Sequence, residues 1–237
     1  MESFYVLPQY ISGSELSIQG DEYHHLTRVL RSKAGDRILV VDGTGTGYEC
    51  VIDRINREKA YCKIENVCSQ YNEPEVDVTL MLPALKNHSR VEWIVEKGTE
   101  LGIRRFLPVH TERTIRHRIR YDRLRKIARA AMKQSQRSFL PEIADELTLH
   151  ELFAKADTAF DKIFIGHEGA PVSDSMRNVY GQLAGQRVLL LAGPEGGFTV
   201  EEVKICERNG GRVVSLGTRR YRAETAALIM AVHIIHD

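Results

Sequence analysis

The residues with most chemical capacity lie in two loops near the end of the sequence. The first, Gly193-Pro194-Glu195-Gly196-Gly197, follows the apolar run Val188-Leu-Leu-Leu191-Ala192. Glycines let a backbone approach a ligand closely and take positive φ, and Pro194 stiffens the turn. The N–H and C=O groups freed there can read an adenine edge or a ribose. No lysine follows the glycines, and the carboxylate Glu195 sits among them, so a nucleotide phosphate is not the expected ligand. A tight strand-to-helix turn with no ligand is the alternative. The second loop, Gly217 to Ala223, carries Arg219, Arg220, Tyr221 and Arg222 just before a helix start. Three arginines beside a helix N-terminus make a strong positive site. It suits RNA phosphate or a developing anion; a solvated loop is the alternative. Glu224 and Thr225 also have a simpler role open to them, since a carboxylate in a first turn complements the helix dipole.

Each loop leaves a hydrophobic strand and enters a helix. Two such loops lie side by side at the C-terminal edge of a parallel sheet, where α/β folds bind small ligands. The pattern from residue 76 onward supplies such a sheet. Strands are expected over 76–82, 103–109, 162–166, 187–191 and 212–216. Helices are expected after a capping box at Ser89-Arg-Val-Glu92, over 120–136, after a second capping box at Thr199-Val-Glu-Glu202, and over 224–235. In the first helix Val91, Ile94, Val95 and Leu101 share a face, and Gly102 is placed to end it. This alternation implies a parallel sheet covered by helices on both faces.

Residues 1–72 read differently, as a small β-rich module. Residues 37–42 and 48–52 form strands about the turn Gly43-Thr-Gly-Thr-Gly47, and 60–64 forms another. Short strands and Gly-rich turns suggest a barrel or small antiparallel sheet. The Gly-x-Gly-x-Gly run lacks phosphate-loop spacing and is read as a hairpin turn. Asn72-Glu-Pro-Glu75 is the expected linker, giving domains 1–72 and 73–237.

Composition narrows the function classes. Of 237 residues, 43% are hydrophobic and 27% charged, which suits a soluble protein with a real core, and the formal charge is only +1. Any nucleic-acid binding must therefore come from local clustering. Such a cluster exists: from Arg113 to Arg137 there are ten cations against one acid, Asp122. It is the footprint of a phosphate-binding face, with a solvated helix surface as the alternative. The cysteines Cys50, Cys62, Cys68 and Cys206 form no C-x-x-C pair, and no Cys/His set has metal spacing, so reduced thiols and no metal are expected. The N-terminus lacks signal-peptide character, no apolar run is long enough for a membrane, and a cytoplasmic protein is expected.

At these residues the chain resembles the RsmE family of ribosomal RNA methyltransferases, within the SPOUT superfamily. The resemblance rests on Gly193-Pro-Glu-Gly-Gly197 and on Leu216-Gly…Arg222-x-Glu-Thr-Ala226. It extends to His24-His-Leu-Thr-Arg-Val-Leu-Arg31 with Gly35-Asp36, and to Glu96-Lys-Gly-Thr-Glu-Leu-Gly102 with Lys133-Gln-Ser-Gln-Arg137. The matches span nearly the whole chain in order. The resemblance implies a PUA-like β-barrel followed by a trefoil-knotted α/β domain, S-adenosylmethionine as cofactor, and a homodimer. It implies N3-methyluridine in 16S rRNA of the 30S subunit as product. Cofactor contacts are then expected from Gly166, Leu191, Ala192, Gly193, Pro194, Glu195, Gly196, Gly197, Leu216, Gly217, Tyr221, Arg222, Thr225 and Ala226. RNA contacts are expected from Arg28, Arg31, Lys33, Arg113, Arg116, Arg118 and Arg137. One departure stands out: Arg220-Tyr221 replaces a usual Ile-Leu pair, and Ala223 a usual Thr, making a pocket wall more polar.

Uracil N3 must lose a proton when it is methylated, so a base or an anion-stabilising group is needed. Arg222 is the expected anion stabiliser and Glu224 a weaker candidate for base. Competing readings are a non-catalytic RNA-binding or ribosome-assembly protein, a related enzyme with another RNA target atom, and a dinucleotide oxidoreductase. The last is disfavoured by the missing G-x-G-x-x-G spacing.

Overall fold

A computed structural model describes residues 2–114, 118–155, 160–178 and 183–236. The chain divides into two compact units. One takes the chain up to Glu73 together with Arg129–Leu140, and the other takes Pro74–Ala128 and the chain from Pro141 onward.

The first unit is built on a six-stranded sheet. Its strands are β1 (Ser3–Tyr5), β2 (Ile11–Ser12), β3 (Glu15–Gln19), β4 (Arg37–Val41), β5 (Thr46–Ile55) and β6 (Lys59–Ser69), in the order β1-β4-β5-β6-β3-β2. β1 runs parallel to β4 and the remaining pairs are antiparallel. Phe4, Leu16, Ile18, Leu26, Ile38, Val40, Cys50 and Ile52 make its core. Along β5 inward and outward side chains alternate over Cys50–Asp53, the period of a half-buried strand. The glycine-rich run is a hairpin turn as expected. Asp42 organises it, its Oδ1 accepting from the N–H groups of Thr44 at 2.8 Å and Thr46 at 3.1 Å. A short helix α1 (Gly20–His24) runs into a π-helical turn, His25–Val29, which sequence periodicity did not reveal. Glu73, expected in a linker, is instead buried against Arg137.

The second unit holds an all-parallel sheet. Its strands are β7 (Asp77–Pro83), β8 (Arg105–His110), β9 (Glu142–Ile143), β10 (Leu147–Thr148), β11 (Lys162–Gly166), β12 (Arg187–Ala192) and β13 (Gly211–Val214). The order is β10-β8-β7-β12-β11-β13, with β9 beside β8. Its helices are α2 (His88–Leu101), α4 (Leu149–Lys155), α5 (Val200–Arg208) and α6 (Ala223–Ile235), while α3 (Tyr121–Gln134) starts here and ends in the first unit. Leu189 and Leu191 of β12 join Leu149, Leu152, Phe198 and Cys206 in one core layer. The alternate face of the sheet meets α6, which also packs on α2. Burial on both faces explains why β12 reads as a continuous apolar run rather than an alternating one.

The helix ends follow local chemistry. Gly102 ends α2 in the left-handed region at φ 118°, and a Cβ there would lie 2.3 Å from Pro74 Cγ, so only glycine fits. Thr199 and Glu202 form the expected capping box of α5. The box expected at Ser89 does not form. Asn87 caps α2 instead, its Oδ1 accepting from Ser89 N at 2.9 Å. Asn is as good a cap as Ser, and Glu92 turns to Arg123, 3.3 Å away.

Candidate active site

The C-terminal ends of β11, β12 and β13 present three loops to one cleft of about 590 Å³. That is the size of a small-molecule site, typically ~300–1,000 Å³. Gly166, His167 and Glu168 come from the loop after β11. Ala192 and Gly193 to Phe198 come from the loop after β12. Leu216, Gly217 and Arg219 to Arg222 come from the loop after β13, and Ala223 and Ala226 from α6.

Each loop has a local reason for its shape. In the glycine loop the N–H of Gly197 donates to Pro194 O at 2.8 Å, closing a tight turn. In the arginine loop Gly217 takes φ 105°, and its N–H donates to Ser215 Oγ at 3.2 Å. In the third, the N–H of Gly169 donates to His167 Nδ1 at 3.1 Å. With Nδ1 accepting, the other ring nitrogen, Nε2, is the one open to a donor role.

Charge is arranged asymmetrically. Arg222 is the N-cap of α6, so its guanidinium and the positive end of the helix share the cleft wall. Arg220 Nε lies 3.3 Å from Glu168 Oε2 in an exposed pair across the mouth. The departure at Arg220-Tyr221 does make this wall polar. Glu224 does not line the cleft. It is 8% exposed, its Oε1 lies 3.4 Å from Arg90 Nε, and its buried Oε2 has no hydrogen-bond partner among the described residues.

Two other expected contacts have side chains outside this cleft's lining. Leu191 is fully buried inside the sheet, because successive strand residues point to opposite faces and its side chain belongs to the core layer. Thr225 lines an adjoining hollow that shares Leu216, Gly217 and Tyr221 with the cleft.

The arginines expected on RNA divide three ways. Arg28, Arg31, Lys33 and Arg118 are exposed. Arg113 is drawn into the cleft, where its Nη1 donates to Gly196 O at 2.7 Å. A carboxylate holds it there: Glu202, already capping α5, accepts from the neighbouring Glu112 N at 2.7 Å. Arg137 is 2% exposed and paired to Glu73, so it is not available to a phosphate. Arg116 lies outside the described residues.

Residues 72–235 match the model of an RNA methyltransferase domain, and residues 18–65 that of an RNA methyltransferase PUA domain. The chain is 30% identical over 222 residues to the ribosomal RNA small subunit methyltransferase E of Bacillus subtilis, covering 90% of this chain and 86% of the relative. This chain belongs to the ribosomal RNA small subunit methyltransferase E family.

Solved structures of family type agree. A probable rRNA-methyltransferase from Porphyromonas gingivalis is 32% identical with a TM-score of 0.84, covering 100% of this chain and 99% of that one. A ribosomal RNA small subunit methyltransferase E from Neisseria gonorrhoeae, bound to S-adenosyl methionine, is 25% identical with a TM-score of 0.80, covering 98% and 96%. Among the described residues of this RNA methyltransferase, no helix is long and apolar enough to cross a membrane, and no metal cluster forms. Sequence reasoning missed Arg90, which reads as a surface position inside a capping box. Only the fold brings it to Glu195 and Glu224, so no local signal marked it.

Proposed function

We propose that this chain transfers the methyl group of S-adenosylmethionine to N3 of a uridine in the 16S rRNA of the small ribosomal subunit. The observation that carries the reading is the cleft itself: a glycine loop, the Leu216-Gly217 turn and the N-terminus of α6 meet around one volume of nucleoside size. The residues fit the cofactor. Backbone groups of Gly193 to Gly197 suit an adenine edge, and Pro194, Phe198 and Leu216 offer apolar walls. When bound, the cofactor supplies an already activated methyl group.

The protein's own work is placement and charge. Loop backbones hold the reactants in line, which supplies much of the rate because aligned groups react at high effective molarity. Arg222, backed by the α6 dipole, stabilises the negative charge that spreads to O2 and O4 as N3 passes its proton to solvent water. His167 donates from Nε2 to the same oxygens.

RNA recognition belongs to two sets of groups. Exposed Arg28, Arg31, Lys33 and Arg118 take phosphates, giving affinity with little sequence information. A splayed uridine in the cleft gives specificity. In this reading the first unit, the chain up to Glu73 with Arg129–Leu140, is the PUA-like RNA-binding domain and the second unit the methyltransferase domain. The sheet order, with β12 between β7 and β11, supports the knotted threading that the family resemblance implies. The working form is a homodimer, supported by exposed Trp93, Val172 and Val232 around the hollow beside the arginine loop. A ribosomal RNA substrate makes the cytoplasm the working compartment.

The test is methyl transfer from labelled S-adenosylmethionine to unmodified 30S particles, with rRNA nucleosides separated by mass spectrometry. N3-methyluridine supports the reading. Another methylated nucleoside overturns the target atom, and failure to bind S-adenosylmethionine overturns the reading as a whole.

A further inference from the structure

Arg90 sits in the first turn of α2, outside the cleft, and reaches two carboxylates on two different ligand loops. Its Nη1 lies 3.5 Å from Glu195 Oε1 in the glycine loop, and its Nε lies 3.4 Å from Glu224 Oε1 in the first turn of α6. The side chains of Arg90 and Glu224 are 30% and 11% exposed, so the pair works in a partly desolvated setting where charge interactions are stronger than at a free surface. A buried carboxylate left without a cation is costly, and Glu224 has no other charged partner among the described residues. The helix dipole alone does not explain the geometry, because a single first-turn carboxylate needs no bridge to the glycine loop.

We infer that Arg90 is a positioning residue for methyl transfer: its planar guanidinium ties Glu195 to Glu224 and thereby sets the separation of the two loops that hold the cofactor. The inference rests on the proposed function and adds to it a residue outside the cleft lining. Arginine suits the task because its fork meets two carboxylates at once, whereas a lysine ammonium is a compact point charge on a flexible stem. Contacts of 3.4 and 3.5 Å are ion pairs longer than good hydrogen bonds. Contacts in unliganded sites are often long and tighten in the ligand complex.

The test measures S-adenosylmethionine affinity by calorimetry, and turnover on 30S particles, for the full-length protein and four variants. These are Arg90→Lys, Arg90→Met, Glu195→Gln and the double Arg90→Met/Glu195→Gln. Thermal melts run beside them. Arg90→Lys keeps a cation near Glu224 and is expected to fold. It should still bind S-adenosylmethionine about tenfold more weakly and lose turnover on the order of 10²-fold, the cost of a small misplacement. The KM for 30S should stay unchanged. The Arg90 and Glu195 effects should be non-additive, since each variant breaks the same tie. Wild-type affinity in Arg90→Lys, or additive losses in the double, would overturn the positioning role while leaving the methyltransferase reading intact. Wild-type protein that binds no S-adenosylmethionine would sink the functional reading, and this inference with it.

Discussion

Arg137 Nε lies 3.1 Å from Glu73 Oε2, and both side chains are only 3% exposed. The other oxygen of Glu73 accepts from the backbone N–H groups of Ser138 at 2.9 Å and Phe139 at 2.8 Å. This carboxylate is therefore fully used, and its arginine is a structural cation inside a segment that reads as RNA-binding. Breaking one side of such a pair leaves a buried charge, at a cost of about 3–5 kcal/mol. Arg137→Ala should lower urea-melt stability by that amount, and at temperatures where it remains folded its RNA affinity should match the wild type. Near-normal stability with weakened RNA binding would return Arg137 to the phosphate face.

Arg222 is expected to behave in the opposite way. Arg222→Ala removes charge from the cleft wall without unpairing a buried partner, so the melt should move little. Turnover should fall about 10²–10³-fold, the usual cost of one anion-stabilising donor. S-adenosylmethionine affinity, read by calorimetry, should change much less. Full turnover in this variant would remove the anion role.

The exposed cations of the first unit give a salt signature. The logarithm of the RNA binding constant should fall linearly with log salt, and Arg28→Ala, Arg31→Ala or Lys33→Ala should each reduce the slope by about one. Filter binding over a salt series reads this directly. A slope unchanged by all three substitutions would place the RNA elsewhere.

Trp93, Val172 and Val232 are 40%, 57% and 41% exposed on the second unit. Large apolar side chains grouped this way mark an interaction surface. Trp93→Asp combined with Val232→Asp should shift the protein from dimer to monomer in light scattering, with the melt of the monomer still cooperative. A dimer that survives both charges would exclude this face.

Burial pushes the thiols of Cys50, Cys62 and Cys206 up to about 12. At pH 8 roughly one molecule in 10⁴ then carries a thiolate at any of them, and the thiolate is the reactive form. Iodoacetamide should label Cys68, which is half-buried, and spare the other three until the protein is denatured. Rapid native labelling of Cys206 would contradict the packing of α5 on β13.

Much of the second unit was legible because its strands and helices have the two periods that burial imposes. The span of β11 came directly from Lys162-Ile-Phe-Ile-Gly166, and the end of α2 from Gly102. The glycine and arginine loops were visible as breaks after apolar strands. The losses have physical causes. The π-helical turn His25–Val29 has neither period. The short strands β1 to β3 are set by pairing partners distant in sequence, such as Tyr61 opposite Ser17. The partners of Arg90, Arg113 and Arg137 are chosen by the fold, so a cation count could not separate a phosphate ligand from a clamp on a carbonyl or a buried ion pair.

The first unit completes itself with residues 129–140, supplied after the chain has already built part of the second. Glu73 would be stranded without Arg137, so neither unit corresponds to one uncut stretch of gene. The first unit is therefore not a cassette that recombination can lift out at a single boundary. Exchange between relatives must carry both stretches together, or must match the buried pair on each side of the junction.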